Sequence, residues 1–284
     1  MVFVLLLAPR AVLSFDVQLS DTMPQQGDVV TIKVSDTEAC TVEGRWNKHS
    51  FKFQKTSDSD AKFYGLIGID YTRTPGFAQL LIHTDPCDPD QSPRTQTIKL
   101  LVAEQSFRTQ RLTVPDQEKV TLSPESLERV HREKKQIRTA LDKHRTAPVW
   151  RFPFASPVGR YQAGNSFGAR RIINGNPRSP HSGEDYSANV GDPIKSIAGG
   201  KVVLTGTFFF EGNTIFIDHG AGLQSMYFHL SEIDVREGKK VEAGEKIGEA
   251  GASGRVTGPH LHLGIKLHGS TVDPDSLFQQ ALPD

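Results

Sequence analysis

The sequence predicts an all-β chain in which two β-domains are joined by a single charged helix. Three observations carry this. Short apolar runs separated by turn residues, with no helical stretch, fill residues 15–118. The pattern changes abruptly to helical spacing near Leu122. From Val149 onward the composition turns Gly-rich and strand-like again. A length of 284 residues makes two domains the default and leaves enough chain to bury a core without staples.

Residues 1–14 open with a compact apolar stretch, Val2 to Ala8, broken by Pro9 and Arg10. It is shorter than the ~20 residues that span a bilayer, but it suits the apolar region of a signal peptide, with Ser14 at a cleavage site and Val12 at the −3 position. The other reading is a first β-strand. Membrane contact is expected only through this segment, if it stays uncleaved.

Residues 15–118 read as a β-sandwich of the immunoglobulin-like kind. Val30, Ile32 and Val34 alternate with Thr31 and Lys33; Leu66 to Ile69, Leu80 to Ile82 and Ile98 to Val102 are further strand candidates. Asp36, Asp58-Ser59-Asp60, Pro75-Gly76 and Asp88-Pro89 punctuate them. Cys40 and Cys87 are the only cysteines, and in an exported chain such a pair can close one disulfide. The region shows no chemistry, so a spacer or docking module is the plain reading.

Residues 119–148 are expected to form a helical linker. Ser123 suits the N-cap and Pro124 the first helical position. Leu127, Val130, Ile137 and Leu141 then make one apolar stripe on a charged segment.

Residues 149–284 read as a mainly antiparallel β-domain. Ile194 to Leu204, Thr214 to Asp218, Gln224 to Leu230 and His260 to Leu267 look like strands, joined by turns such as Glu211-Gly212-Asn213 and Gly251-Ala252-Ser253-Gly254. Lys plus Arg and Asp plus Glu balance at 33 each, with no local positive excess of the kind a nucleic-acid binder needs.

The chemistry lies in this second domain. His181 and Asp185 stand four apart, His229 follows the apolar Met226-Tyr227-Phe228, and His260 and His262 flank Leu261. Residues i and i+2 of a strand share a face, so His260 and His262 project together while Leu261, Leu263 and Ile265 face a core. Imidazole and carboxylate are favoured zinc ligands, and a catalytic site offers three of them plus an open position. His181, Asp185 and one of His260 and His262 supply such a set, and the remaining imidazoles can move protons during metal-assisted amide hydrolysis.

The ordered series His181-x-x-x-Asp185, His229-Leu230 and Gly258-Pro259-His260-Leu261-His262 resembles the lysostaphin/LytM family of zinc endopeptidases. The resemblance runs from about residue 150 to residue 278. It includes Ser166-Phe167-Gly168, Arg170-Arg171, Asp218-His219-Gly220 and Val272-Asp273-Pro274. It implies Zn²⁺ held by His181, Asp185 and His262, with His229 and His260 as the catalytic pair. It further implies a metallopeptidase acting on the peptide part of peptidoglycan, exported to the periplasm or envelope of a bacterium. One departure stands out: family members with a Tyr six residues before the first ligand use it near the oxyanion, and here that position is Gly175. Arg171 and Asn174 are the candidates in its place, and Arg171, Asn174 and Asn213 are the candidate substrate contacts. The Arg170-Arg171 and Arg178 cluster is a second carboxylate-contact candidate. His219 and His268 read as solvated or structural, and Phe208-Phe209-Phe210 as a strand anchor or groove wall. The alternative function is a non-catalytic envelope scaffold or activator of other wall hydrolases, since members of this fold that lose their ligands act so.

Overall fold

The structure, a computed structural model, describes residues 15–55, 62–142, 147–162 and 164–281. The segment assigned above to a signal peptide lies outside the described residues.

Eight strands build the N-terminal part: β1 (Asp16–Leu19), β2 (Val29–Ser35), β3 (Ala39–Trp46), β4 (His49–Lys52), β5 (Gln54–Lys55), β6 (Lys62–Gly68), β7 (Gly76–Pro86) and β8 (Arg94–Val102). They form two antiparallel sheets, ordered β1-β2-β6-β5 and β4-β3-β7-β8, whose inward side chains share one core around Trp46, Leu80, Ile82 and Leu100. Strands β3 and β4 were not legible in the sequence. A two-residue turn joins them, and Asn47 (φ 53°) takes the left-handed conformation that such hairpins require. Cys40 in β3 and Cys87 just after β7 are joined in a disulfide.

Strand β2 departs from the alternation its sequence suggests. Val30, Ile32 and Val34 enter the sandwich core, yet Thr31 and Lys33 are buried as well, and at Thr31 the opposite face lies against the C-terminal domain. Val29 and Leu66 belong to that domain's core, and the Val29 amide and the Thr31 hydroxyl donate to Ser276 Oγ and Gln280 Oε1.

Strand β9 (Thr109–Leu112) leaves the sandwich, and α1 (Pro124–Leu141) follows it. Ser123 Oγ caps the helix by accepting the Ser126 amide at 3.2 Å. Val130 and Ala140 are buried, whereas Leu127 of the expected stripe is exposed. No helix among the described residues is long and apolar enough to cross a membrane.

The C-terminal part contributes β10 (Arg170–Ile173), β11 (Asn176–Pro177), β12 (Glu184–Tyr186), β13 (Pro193–Lys195), β14 (Gly200–Phe208), β15 (Gly212–Gly220), β16 (Leu223–Ile233), β17 (Lys240–Val241), β18 (Lys246–Ala250), β19 (Leu261–Leu267), β20 (Ser270–Val272) and the short α2 (Pro274–Phe278). The run expected as one strand from Ile194 to Leu204 is two, because the chain turns at Ser196 to Gly199, where Ser196 Oγ donates to the Ala198 carbonyl. The central sheet follows the order β12-β19-β16-β15-β14-β17 and all its pairings are antiparallel. Leu261, Leu263, Ile265, Ile215, Ile217 and Tyr227 are fully buried on its core side. Strand β9 lies within the stretch assigned above to the sandwich, yet it pairs in parallel with β10 and forms the sheet β11-β10-β9 beside the C-terminal domain.

Candidate metal centre

Three neighbouring strands and one loop bring the expected residues together. In the ladder, Asp185 of β12 faces His262 of β19, which faces Phe228 of β16. Strand β16 bulges at this level, between its pairings of Tyr227 and Leu230 with β15. The extra residue, His229, adopts φ 66°, a conformation rare outside glycine and one that re-aims its ring. It therefore lies within a strand that continues to Ile233, not near a strand end. His181 comes from the loop before β12, fixed by its amide on the Ala169 carbonyl.

The donor atoms of His181, Asp185 and His262 lie within 4.8 Å of one another. His181 Nε2 stands 2.8 Å from His262 Nδ1 and 3.1 Å from Asp185 Oδ1, and the last two are 2.9 Å apart. Tetrahedral ligands at ordinary zinc distances are separated by about 3.3 Å, so a small expansion admits the ion. His181 Nδ1 donates to the Ser166 carbonyl at 2.9 Å, which leaves Nε2 as the ligating nitrogen. The buried Glu184 carboxylate holds Ser166 in turn, accepting the Ser166 and Phe167 amides.

The electrostatics suit ligation. Burial lowers the His181 imidazole below its ordinary value and takes His262 down to about 4, so both rings are neutral donors at pH 7. Burial alone would raise the Asp185 carboxyl, but the adjoining His181 and His262 rings outweigh it and hold the group far below the usual carboxylate range. Arg171 Nη2 grips the other oxygen, Oδ2, at 2.8 Å. Gly183 leaves room for this arrangement: a Cβ there would meet His262 Nε2 at 2.6 Å and the Leu263 carbonyl at 2.4 Å.

The remaining two imidazoles stand at the rim. His229 and His260 have ring centroids 4.9 Å apart, and His260 Nε2 is 3.6 Å from Asp185 Oδ1. Each Nδ1 is pinned to a backbone carbonyl, that of Ser253 for His229 (2.9 Å) and that of Gly258 for His260 (2.8 Å). Burial, reinforced by His262 and His260, depresses His229 to about 3. A cleft of about 70 Å³ opens on these groups, lined by Asp185, His229, His260, Arg171 and Arg255 and, from the β9 segment, Gln110, Leu112 and Val114.

The other sequence candidates scatter. Asn174 spends its side-chain amide clamping both backbone polar groups of Val114, so its head is not turned to the cleft. Asn213 bonds Thr207 and the Ser231 carbonyl and does not line the cleft. Gly175 has open space where a side chain would be. His219 is not solvated but fully buried, bonded to the Gly199 carbonyl and Ser225 Oγ; His268 stacks on Phe51 and bonds the Leu66 carbonyl, pinning the two parts of the chain together. Phe209 is buried, with Lys119 3.7 Å above its ring. Ser253 and Arg255 went unseen; the Gly251–Gly254 turn just before the His-x-His pair was the signal available.

Two neutral imidazoles and one carboxylate, beside two further tautomer-fixed imidazoles in a cleft, make a donor set that could hold one metal ion. Residues 179–274, about a third of the chain, match peptidase family M23. It is similar to the peptidoglycan DD-endopeptidase ShyA of Vibrio cholerae, 37% identical over 43% of this chain and 28% of that one. It is also similar to the DD-carboxypeptidase/endopeptidase Mpg of Neisseria meningitidis, 41% identical over 36% of this chain and 23% of that one. A putative peptidase M23 from Pseudomonas aeruginosa, solved as a crystal structure, superposes with TM-score 0.62 and 27% identity, covering 92% of this chain and 96% of that one. The matched segments thus span about a quarter of these two curated relatives' length.

Proposed function

We propose that the chain is a zinc-dependent endopeptidase that hydrolyses peptide cross-links of bacterial peptidoglycan in the cell envelope. The observation that carries this is the convergence of His181, Asp185 and His262 beside the His229–His260 pair. Zinc held by His181, Asp185 and His262 would supply Lewis acidity to a water and to the scissile carbonyl. Residues of the chain do the rest. With Nδ1–H of His229 and His260 committed to carbonyls, each ring offers a lone pair at Nε2. One ring takes the proton of the attacking water, and as an imidazolium it becomes the donor that stabilises the tetrahedral intermediate and returns the proton to the leaving amine. Arg171 keeps the Asp185 carboxylate in its ligating orientation.

Relatives named DD-endopeptidases favour a cross-link at D-alanine, although a glycyl-glycine endopeptidase, ALE-1 of Staphylococcus capitis, also matches at 38% identity. A non-catalytic scaffold is disfavoured by the full set of five site residues. The test is digestion of purified peptidoglycan with products weighed, beside a chelated control and His260→Ala. Chelator-sensitive release of peptide-cleaved fragments, lost in the variant, is expected. Zinc binding without cleavage of any wall preparation would sink the enzymatic reading.

A further inference from the structure

The cleft holds one cation that the mechanism does not use. Arg255 lines the same cleft as His229 and His260. Its backbone amide is fixed on the Phe210 carbonyl at 2.9 Å, and its guanidinium lies 4.3 Å over the Phe210 ring, which packs edge-on against Phe209. The two arginines that act on it electrically are both engaged: Arg171 on Asp185, Arg178 on the Val120 carbonyl. Arg255 has no ion pair and no side-chain hydrogen bond among the described residues. Partial burial, then repulsion from Arg171 and Arg178, works against its charge, and Glu211 offsets them only in part and forms no ion pair with it. A guanidinium that is partly dehydrated, stacked in place and without a counter-ion is disfavoured unless an anion completes it.

We infer that Arg255 is a specificity-determining residue that receives a free carboxylate of the substrate, adjacent to the amide bond being cut. The planar fork matches a carboxylate in two parallel hydrogen bonds, and its anchoring over Phe210 means little side-chain freedom is lost on binding. The position beside the imidazole pair puts that carboxylate within about one residue of the scissile bond. Cross-links through a diamino dicarboxylic acid carry such a group on the carbon next to the leaving nitrogen, whereas cross-links through a lysine side chain or a glycine bridge do not have one beside that nitrogen unless it is a chain end. The inference rests on the peptidase reading for which bond lies nearby; recognition of the carboxylate does not depend on turnover.

The test uses two synthetic cross-linked peptide dimers that differ only at the carboxyl beside the cross-link nitrogen, free in one and amidated in the other. Calorimetric affinities are measured for the zinc-loaded full chain in a His260→Ala background, which keeps the peptides intact. The same is done with Arg255→Gln and Arg255→Lys added. The free-carboxylate dimer should bind about 10- to 100-fold tighter than the amidated one, the span of a charge-assisted hydrogen bond. That preference should fall below about threefold in Arg255→Gln, which keeps a side-chain stem over Phe210, and survive in part in Arg255→Lys. Equal affinities in the parent chain, a preference that persists in Arg255→Gln, or no binding of either dimer would overturn the inference. Cleavage assays in the His260 parent separate the two claims. Arg255-dependent binding without cleavage retains this inference and refutes the peptidase; equal cleavage of both dimers with equal affinity does the reverse.

Discussion

Replacing Gly183 by alanine tests whether the metal centre is held as tightly as its geometry implies. Gly183 is not among the glycines with positive φ, so the substitution adds a methyl group without left-handed backbone strain. That methyl would sit 2.4 Å from the Leu263 carbonyl and 2.6 Å from His262 Nε2, where ordinary contact begins at 3.4 Å. The carbonyl is fixed, since Leu263 faces Glu184 in the β12–β19 ladder. The ring is little freer: it stacks flat on Phe228, with centroids 5.0 Å apart and planes 7° off parallel. Moving His262 by about 0.8 Å clears only the ring, so full relief also needs β12 to slide about 1.0 Å from the carbonyl and carry Asp185 with it. Either motion exceeds the ~0.5 Å tolerance of a preorganised site. Zinc affinity should fall about 10- to 100-fold, or about 1–3 kcal/mol, with about 1–3 kcal/mol of overpacking in the metal-free protein. Competition against a chromophoric chelator reads the first and thermal melting the second. A folded Gly183→Ala chain with zinc affinity within about twofold of the parent would refute the reasoning.

Other perturbations separate the roles of neighbouring groups. Alanine at His181, Asp185 or His262 should abolish stoichiometric zinc, whereas His229→Ala and His260→Ala should retain it and lose about 10²- to 10⁴-fold in cleavage rate; zinc analysis beside digestion distinguishes them. Arg171→Ala frees Asp185 Oδ2 and should weaken zinc binding about tenfold by the same chelator competition. Burial depresses His219 from its ordinary value near 6.5 to about 4, so the unfolded chain binds its proton first. That contribution to stability is whole above pH 6.5 and is lost as pH falls to about 4, on the order of 3 kcal/mol. Melts of chelated protein across that window should therefore be flatter for His219→Gln. Opening the disulfide across 47 residues by paired Cys40→Ala and Cys87→Ala substitutions should cost up to about 4 kcal/mol, read as a lower melting temperature.

How much was legible depended on range. Apolar alternation exposed long strands such as β19, although both of its faces are buried, and the i and i+2 rule alone brought His260 and His262 to one side. The two- to four-residue strands β10, β11 and β12 are too short for any period to register, yet β12 delivers Asp185. The bulge that re-aims His229 is a property of pairing with β15, which the local sequence does not encode. Burial of Thr31 was hidden for a related reason: the residue its hydroxyl meets, Gln280, lies 249 residues on. Arg255 was invisible because an arginine beside a glycine turn looks solvated until its lack of a counter-ion is seen in three dimensions.

The N-terminal part is more than the spacer its sequence suggests. Val29 and Leu66 complete the C-terminal core, the His268 ring is held by Phe51 and Leu66, and a Cβ on Gly68 would strike Val272 at 2.6 Å. These contacts hold the sandwich against the C-terminal part. Strand β9 pairs with β10, Gln110 Oε1 accepts from Arg171 Nε at 3.3 Å, and Leu112 and Val114 face the metal cleft. One wall of the cleft is thus made from the chain between the sandwich and the helix. Arg171 joins that wall to the centre, with Nη2 on a metal-site carboxylate and Nε on β9. A shift of β9 relative to β10 would therefore be felt at Asp185 through two hydrogen bonds of a single side chain, so cleft width and ligand orientation are mechanically linked.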